Sequence, residues 1–149
     1  MVIALDRTFG KGVYFADMVS KSANYCGGTR ENPKVVLTLC EVALGSQYEL
    51  IASQFEACER SQARGKHSTW GIGKTMPAPE GARTSAEGVC VPMGVAGENA
   101  YLKENLDALI AGGAGKRMEL LYNEFIVYDT KQVHMKYVVV CEMDFDVDA

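Results

Sequence analysis

Apolar and polar residues alternate most clearly near the C-terminal end of the chain. In Leu120-Leu121-Tyr122-Asn123-Glu124-Phe125-Ile126-Val127-Tyr128, a period of two puts Leu120, Tyr122, Ile126 and Tyr128 in one row, with Glu124 among them. That pattern predicts a strand over 119–128, and the β-branched run after it predicts a second over 133–145. Asp129-Thr130-Lys131-Gln132 between them predicts an antiparallel hairpin. A further strand is expected over 34–44, where Val35-Val36-Leu37-Thr38-Leu39-Cys40-Glu41-Val42-Ala43-Leu44 lies between Pro33 and Gly45, and Tyr48-Glu49-Leu50 is expected to extend it past a bulge. Helical spacing appears twice. Met18, Ser22 and Tyr25 share one face of a short helix with Asp17 as candidate N-cap and Gly27-Gly28 as its end. Leu102, Leu106, Leu109 and Ile110 predict an amphipathic helix over 99–111, ended by Gly112-Gly113. Residues 51–64 carry weak helical character, and 65–99, rich in glycine and proline, are expected to be mostly loop. With no repeat and no linker, the pattern predicts one α+β domain over 1–149, antiparallel-rich and dominated by β-structure.

Composition narrows the function classes. The chain has 149 residues, 48% of them hydrophobic, which is enough for one core. Its formal net charge of -4 supplies no basic field for phosphate backbones, so direct nucleic-acid binding by this segment is not expected. Cys26, Cys40, Cys58, Cys90 and Cys141 form no CxxC pair and are odd in number, which predicts free thiols, a reducing compartment and no metal site. No apolar run approaches the ~18–20 residues of a bilayer span, and Met1–Arg7 is too short and too soon charged for a secretory signal, so a soluble intracellular protein with no membrane partner is expected. Gly73-Lys74-Thr75 looks like the end of a phosphate-binding loop, but Ser68 stands where the first glycine of that motif belongs, and the nucleotide-triphosphatase reading fails.

Glu124 is the residue that asks for a reason. A carboxylate in a row of large apolar side chains costs free energy unless something partners it. The competing reading is a glutamate on an edge strand that points at water. Tyr25 and Ser22 have ordinary readings too: a half-buried helix aromatic and a solvent hydroxyl.

Two separated segments then point to one family. Phe9-Gly10-Lys11-Gly12-Val13-Tyr14-Phe15-Ala16-Asp17-Met18-Val19-Ser20-Lys21-Ser22-Ala23-Asn24-Tyr25-Cys26 resembles the donor-site segment of the poly(ADP-ribose) polymerases. Leu121 to Asp129 resembles their catalytic-glutamate strand. Between them, Gly45-Ser46-Gln47-Tyr48-Glu49-Leu50, Gly65-Lys66-His67-Ser68, Gly71-Ile72-Gly73-Lys74-Thr75 and Val91-Pro92-Met93-Gly94 resemble family segments in the expected order. The resemblance runs from about Thr8 to the C-terminus, and so long a match is more specific than any short motif.

The resemblance implies a diphtheria-toxin-like ADP-ribosyltransferase fold, here N-terminally truncated. It also implies NAD+ as substrate, with ADP-ribose passed to protein acceptors and to growing poly(ADP-ribose) chains as nicotinamide leaves. By position, Glu124 is the catalytic glutamate, Tyr14 the tyrosine of the family's triad, and Lys21 a lysine that reaches towards Glu124 or else an ordinary surface lysine. Ser22, Tyr25, Tyr14 and Gly12 would hold the donor. Nuclear residence and a part in DNA repair follow from the family alone.

The chemistry suits those roles. As nicotinamide departs, positive charge develops on the ribose, and a carboxylate about 4 Å away is worth roughly 4 kcal/mol at an effective dielectric near 20. A phenol ring can stack on the pyridinium, and a hydroxyl one turn earlier can bond its carboxamide.

The sequence departs from the family in one respect. The family's donor site begins with a strand carrying a His-Gly pair, and Met1–Arg7 holds none. His67 and His134 lie in other segments and do not replace it. The rival reading is therefore a catalytically weak or inactive fragment that binds NAD+ or ADP-ribose. Residues 98–116 look longer than the matching family loop near the acceptor site, and Thr8 stands where many polymerising members carry a bulkier apolar residue.

Overall fold

The computed structural model describes residues 8–145, so the reading of Met1–Arg7 lies outside the described residues. In chain order the elements are β1 Val13–Phe15, α1 Val19–Ala23, β2 Lys34–Val42, β3 Gln47–Leu50, α2 Ala57–Ala63, β4 Ser68–Gly71, β5 Thr75–Pro77, β6 Arg83–Thr84, β7 Cys90–Val91, β8 Ala96–Glu98, α3 Ala100–Ala111, β9 Glu124–Val127 and β10 Val133–Glu142. A four-stranded sheet in the order β1-β9-β4-β3 forms the centre, antiparallel except for the β3–β4 pair. The long strands β2 and β10 pair with each other in a separate antiparallel ribbon, and β5–β8 and β6–β7 make two small pairs. The molecule is α+β and antiparallel-rich, as its sequence pattern predicts.

Four local expectations are corrected. β9 and β10 do not form a hairpin: β9 pairs with β1 and β4, while β10 pairs with β2 from Val133↔Val42 to Glu142↔Lys34. The turn between them, where the Asp129 side chain accepts from Lys131 N at 2.9 Å, carries the chain from one sheet to the other. β3 does not extend β2 either, because the chain turns at Gly45 and β3 joins the central sheet beside β4. Residues 68–71 are a strand rather than loop. Ser68-Thr69-Trp70-Gly71 lacks an apolar signature because its polar side chains are buried and satisfied from outside the strand: Ser68 Oγ donates to Leu44 O at 2.7 Å, and Thr69 Oγ1 shares a 2.7 Å hydrogen bond with Tyr128 Oη. Finally, Asp17 does not cap α1. Met18 holds the N-cap position without a side-chain bond, and the helix ends at Ala23 with Asn24 as C-cap, ahead of Gly27-Gly28.

The longest helix among the described residues, α3, forms as its spacing predicts. Asn99 caps α3 by accepting from Leu102 N at 3.1 Å, Leu102 and Leu109 are buried, and Gly112 closes it. Two apolar clusters hold the elements together. Phe9, Tyr14, Leu50, Ala57 and Ile126 pack where the central sheet meets α2, while Ile51, Ile72, Leu102, Leu109 and Ala114 pack under α3.

Candidate active site

Glu124 opens β9, and β9 is an interior strand with β1 on one side and β4 on the other. The residue is 4% exposed, so it does not point at water from an edge strand. Burial at that depth needs a counter-charge. Lys21 supplies it: Nζ lies 2.5 Å from Glu124 Oε1 and also donates to Tyr25 Oη at 3.1 Å. Lys21 and Tyr25 are one helical turn apart, and the ammonium sits 5.2 Å from the centre of the Tyr25 ring. Burial alone would lower the Lys21 pKa, but the hydrogen bonds to Glu124 and Tyr25 and the attraction of Glu124 outweigh it, and the net shift is upward.

Ser22, the next residue on α1, lines a cavity of about 490 Å³ shared with Phe15, Asp17, Phe125, Leu37 and Val91. That volume suits a ligand site, commonly ~300–1,000 Å³. The cavity lies between the β1–α1 segment and the β2 ribbon, and residues 89–92 also line it.

Glu124, Lys21 and Tyr25 are thus one contacting cluster, with Ser22 beside it facing the cavity. Tyr14 and Gly12 stand elsewhere. The Tyr14 ring, 6% exposed, packs on Phe9, Leu50 and Ile126, and its hydroxyl donates to Gly10 O at 2.7 Å and accepts from Phe9 N at 3.0 Å. Gly12 lies against β9 so closely that a Cβ would sit 2.5 Å from Ile126 Cγ2 and 2.9 Å from Val127 O, so sheet packing by itself demands a glycine there. The two histidines are engaged elsewhere: His67 Nδ1 accepts from Ser46 N at 3.1 Å, and His134 pairs with Glu41 at 3.5 Å.

A polar network that the strand pattern leaves unmarked underlies the site. Asn123 is 1% exposed; its Nδ2 donates to Asp17 Oδ2 at 2.7 Å and its Oδ1 accepts from Gly73 N at 2.9 Å. Asn99, the cap of α3, joins it by donating to Gly73 O at 2.8 Å. The available signal was a polar residue beside Glu124, together with Asn99 at a helix start. Among the described residues, no group of three or more His, Cys, Asp or Glu side chains could hold a metal ion, and no helix is long and apolar enough to cross a membrane.

The family model of the poly(ADP-ribose) polymerase catalytic domain matches residues 4–143. Poly [ADP-ribose] polymerase 2 of Arabidopsis thaliana is 44% identical over 137 residues, which is 92% of this chain and 19% of that protein. Poly [ADP-ribose] polymerase 1 of Gallus gallus is 43% identical and the poly [ADP-ribose] polymerase of Drosophila melanogaster 39%, each over 92% of this chain and 12% of the relative. The chain therefore spans less than a fifth of the length of these relatives. A match of this extent means that the chain belongs to the poly(ADP-ribose) polymerase catalytic domain family.

Proposed function

We propose that the chain carries the donor half of an NAD+-dependent ADP-ribosyltransferase, within a fold of the diphtheria-toxin-like type. It passes ADP-ribose from NAD+ to protein acceptors and to growing ADP-ribose chains and releases nicotinamide. The observation that carries this reading is the buried Glu124, held by Lys21 beside Tyr25, with Phe125 and Ser22, their neighbours in sequence, lining the cavity. In this reading Tyr25 stacks on the nicotinamide and Ser22 Oγ bonds its carboxamide. Glu124 faces the ribose, where it stabilises the positive charge that grows as the glycosidic bond breaks, and it bonds a ribose hydroxyl to orient it. Lys21 keeps the carboxylate placed while the site is empty of substrate. Tyr14 and Gly12 shape the strand beneath, and a donor-side role for the Tyr14 ring needs its hydroxyl to leave Gly10 O.

Glu124→Gln tests the assignment. Nicotinamide release from NAD+ is expected to fall by about 10²–10³-fold while the Kd for NAD+ stays within a few-fold. Unchanged release would overturn it. A second reading, a weak or inactive module that binds NAD+ or ADP-ribose, draws support from the Tyr14 hydroxyl held in the core and from both histidines being engaged elsewhere. Calorimetric NAD+ binding with no nicotinamide release from the unaltered chain would favour it.

A further inference from the structure

Two acidic residues line the cavity: Glu41 is paired with Lys136 at 3.1 Å, whereas the placement of Asp17 is left unexplained by the reaction chemistry. Asp17 precedes the N-cap of α1, where a carboxylate ordinarily accepts from the first turn. Instead its Oδ2 accepts from Asn123 Nδ2 at 2.7 Å, and its Oδ1 is buried without a hydrogen-bond partner among the described residues. Burial pushes the Asp17 carboxyl up, and the bond from Asn123 only partly opposes this. An arrangement this unfavourable for the helix start must be held by something else.

Asn123 is held from three sides. Besides its bond to Asp17, its Oδ1 accepts from Gly73 N at 2.9 Å and from Asn99 Nδ2 at 3.4 Å. Gly73 is pressed so closely on the backbone just ahead of β9 that a Cβ would lie 2.1 Å from the Tyr122 carbonyl carbon, so the amide of Asn123 is held against main chain. Asn123 directly precedes Glu124, and Asp17 stands four residues before Lys21. The bond between them ties the entry of α1 to the start of β9, one residue from the carboxylate and one helical turn from the ammonium.

We propose that Asp17 and Asn123 are a positioning pair: their hydrogen bond sets α1 against β9 so that Lys21 meets Glu124 and Tyr25 turns to the same slot. The pair deepens the transferase reading and rests on it for its functional meaning, but neither residue touches the reacting atoms. The bond is directional, with an amide on one side and a carboxylate on the other, so its two ends can be altered separately and then exchanged.

The test uses the full chain and two readouts. The first is the titration of Lys21, followed by the 13C resonance of its Cε, with Glu124 and Tyr25 as the titratable groups that face it. Asp17→Asn keeps an oxygen for Asn123 Nδ2 and is expected to leave the raised Lys21 titration in place. Asp17→Ala removes that oxygen, and Asn123→Asp sets two carboxylates against each other; both are expected to bring the titration down towards the ordinary lysine value. The exchange Asp17→Asn/Asn123→Asp restores donor to acceptor and should restore the titration. The second readout is nicotinamide release. Asn123→Asp is expected to lower kcat by about tenfold to a hundredfold with KM for NAD+ changed less than about threefold, and the exchange should recover most of the loss.

A natively folded Asn123→Asp or Asp17→Ala with unchanged Lys21 titration overturns the proposal, as does an exchange variant no better than Asn123→Asp alone. Should Asn123→Asp not fold, the contrast between Asp17→Ala and Asp17→Asn decides in the same way. If Lys21 responds as expected while the unaltered chain releases no nicotinamide, the positioning pair stands and the transferase reading falls.

Discussion

At the scale of single residues, the site is an exercise in keeping a charge buried. Glu124 is 4% exposed and Lys21 compensates it, so removing the lysine alone leaves a carboxylate without its partner. Lys21→Ala is expected to destabilise the chain by roughly 3 kcal/mol, the low end of the range for broken buried pairs, because part of the lysine side chain still meets solvent. The double variant Lys21→Ala/Glu124→Gln should recover most of that loss, since a neutral amide needs no counter-charge; urea unfolding of the four forms measures the coupling. Asp17 makes the opposite prediction. Burial raises its carboxyl, so the folded chain favours the protonated form. The stability this contributes is complete below the ordinary carboxyl range and is lost as pH rises through the raised value. Asp17→Asn should therefore unfold at a higher temperature than the unaltered chain at neutral pH, with the gap closing as the pH falls into the acid range. Thermal melts at stepped pH check the sign, and a gap that widens towards acid would contradict it.

At the scale of elements, the informative unit is the contact between α3 and the site. Asn99 performs two tasks, capping α3 through Leu102 N and donating to the buried Gly73 carbonyl that borders Asn123. Asn99→Ala removes a cap worth about 1 kcal/mol and leaves a buried carbonyl that costs about 1–3 kcal/mol unpaired. A total loss of about 2–4 kcal/mol is expected by chemical unfolding. Lys103→Ala on the same helix breaks only the exposed pair with Glu98 and should cost under about 1 kcal/mol. The legibility of elements follows the same physics. α3 could be read because its apolar stripe and its cap are local properties of the sequence. β4 could not, because Ser68 and Thr69 are buried polar residues whose partners, Leu44 O and Tyr128 Oη, lie far away in the chain. The expected hairpin of β9 and β10 failed for a related reason: a short connection does not say which strand becomes the neighbour, and β1 and β4 claim both sides of β9.

At the scale of the whole molecule, the central sheet and the β2–β10 ribbon are unequally covered. The central sheet has apolar clusters against it, whereas the β2–β10 ribbon shows Val36 and Val140, which face each other in register at 57% and 68% exposure, and Tyr137 opposite Leu39 at 62% and 55%. Exposed apolar area of this kind promotes association. Sedimentation of the isolated chain is expected to show self-association in the micromolar to millimolar range, reduced by Val36→Lys/Val140→Lys. A monomer at every concentration would count against the exposed ribbon as an adhesive surface.

The sequence by itself determined the α+β class, the strand that bears Glu124, the amphipathic α3 and the two segments whose likeness identified the family. Each of these is written in local periodicity or in an unbroken run of residues. Only the tertiary structure decided that Glu124 is interior rather than at an edge, that Lys21 is its partner, that Asp17 serves Asn123 instead of capping α1, and that Tyr14 lies in the core. Those outcomes depend on which distant residues are brought within hydrogen-bond reach, and pairing across the fold is set by sheet order and burial rather than by the spacing of neighbours along the chain.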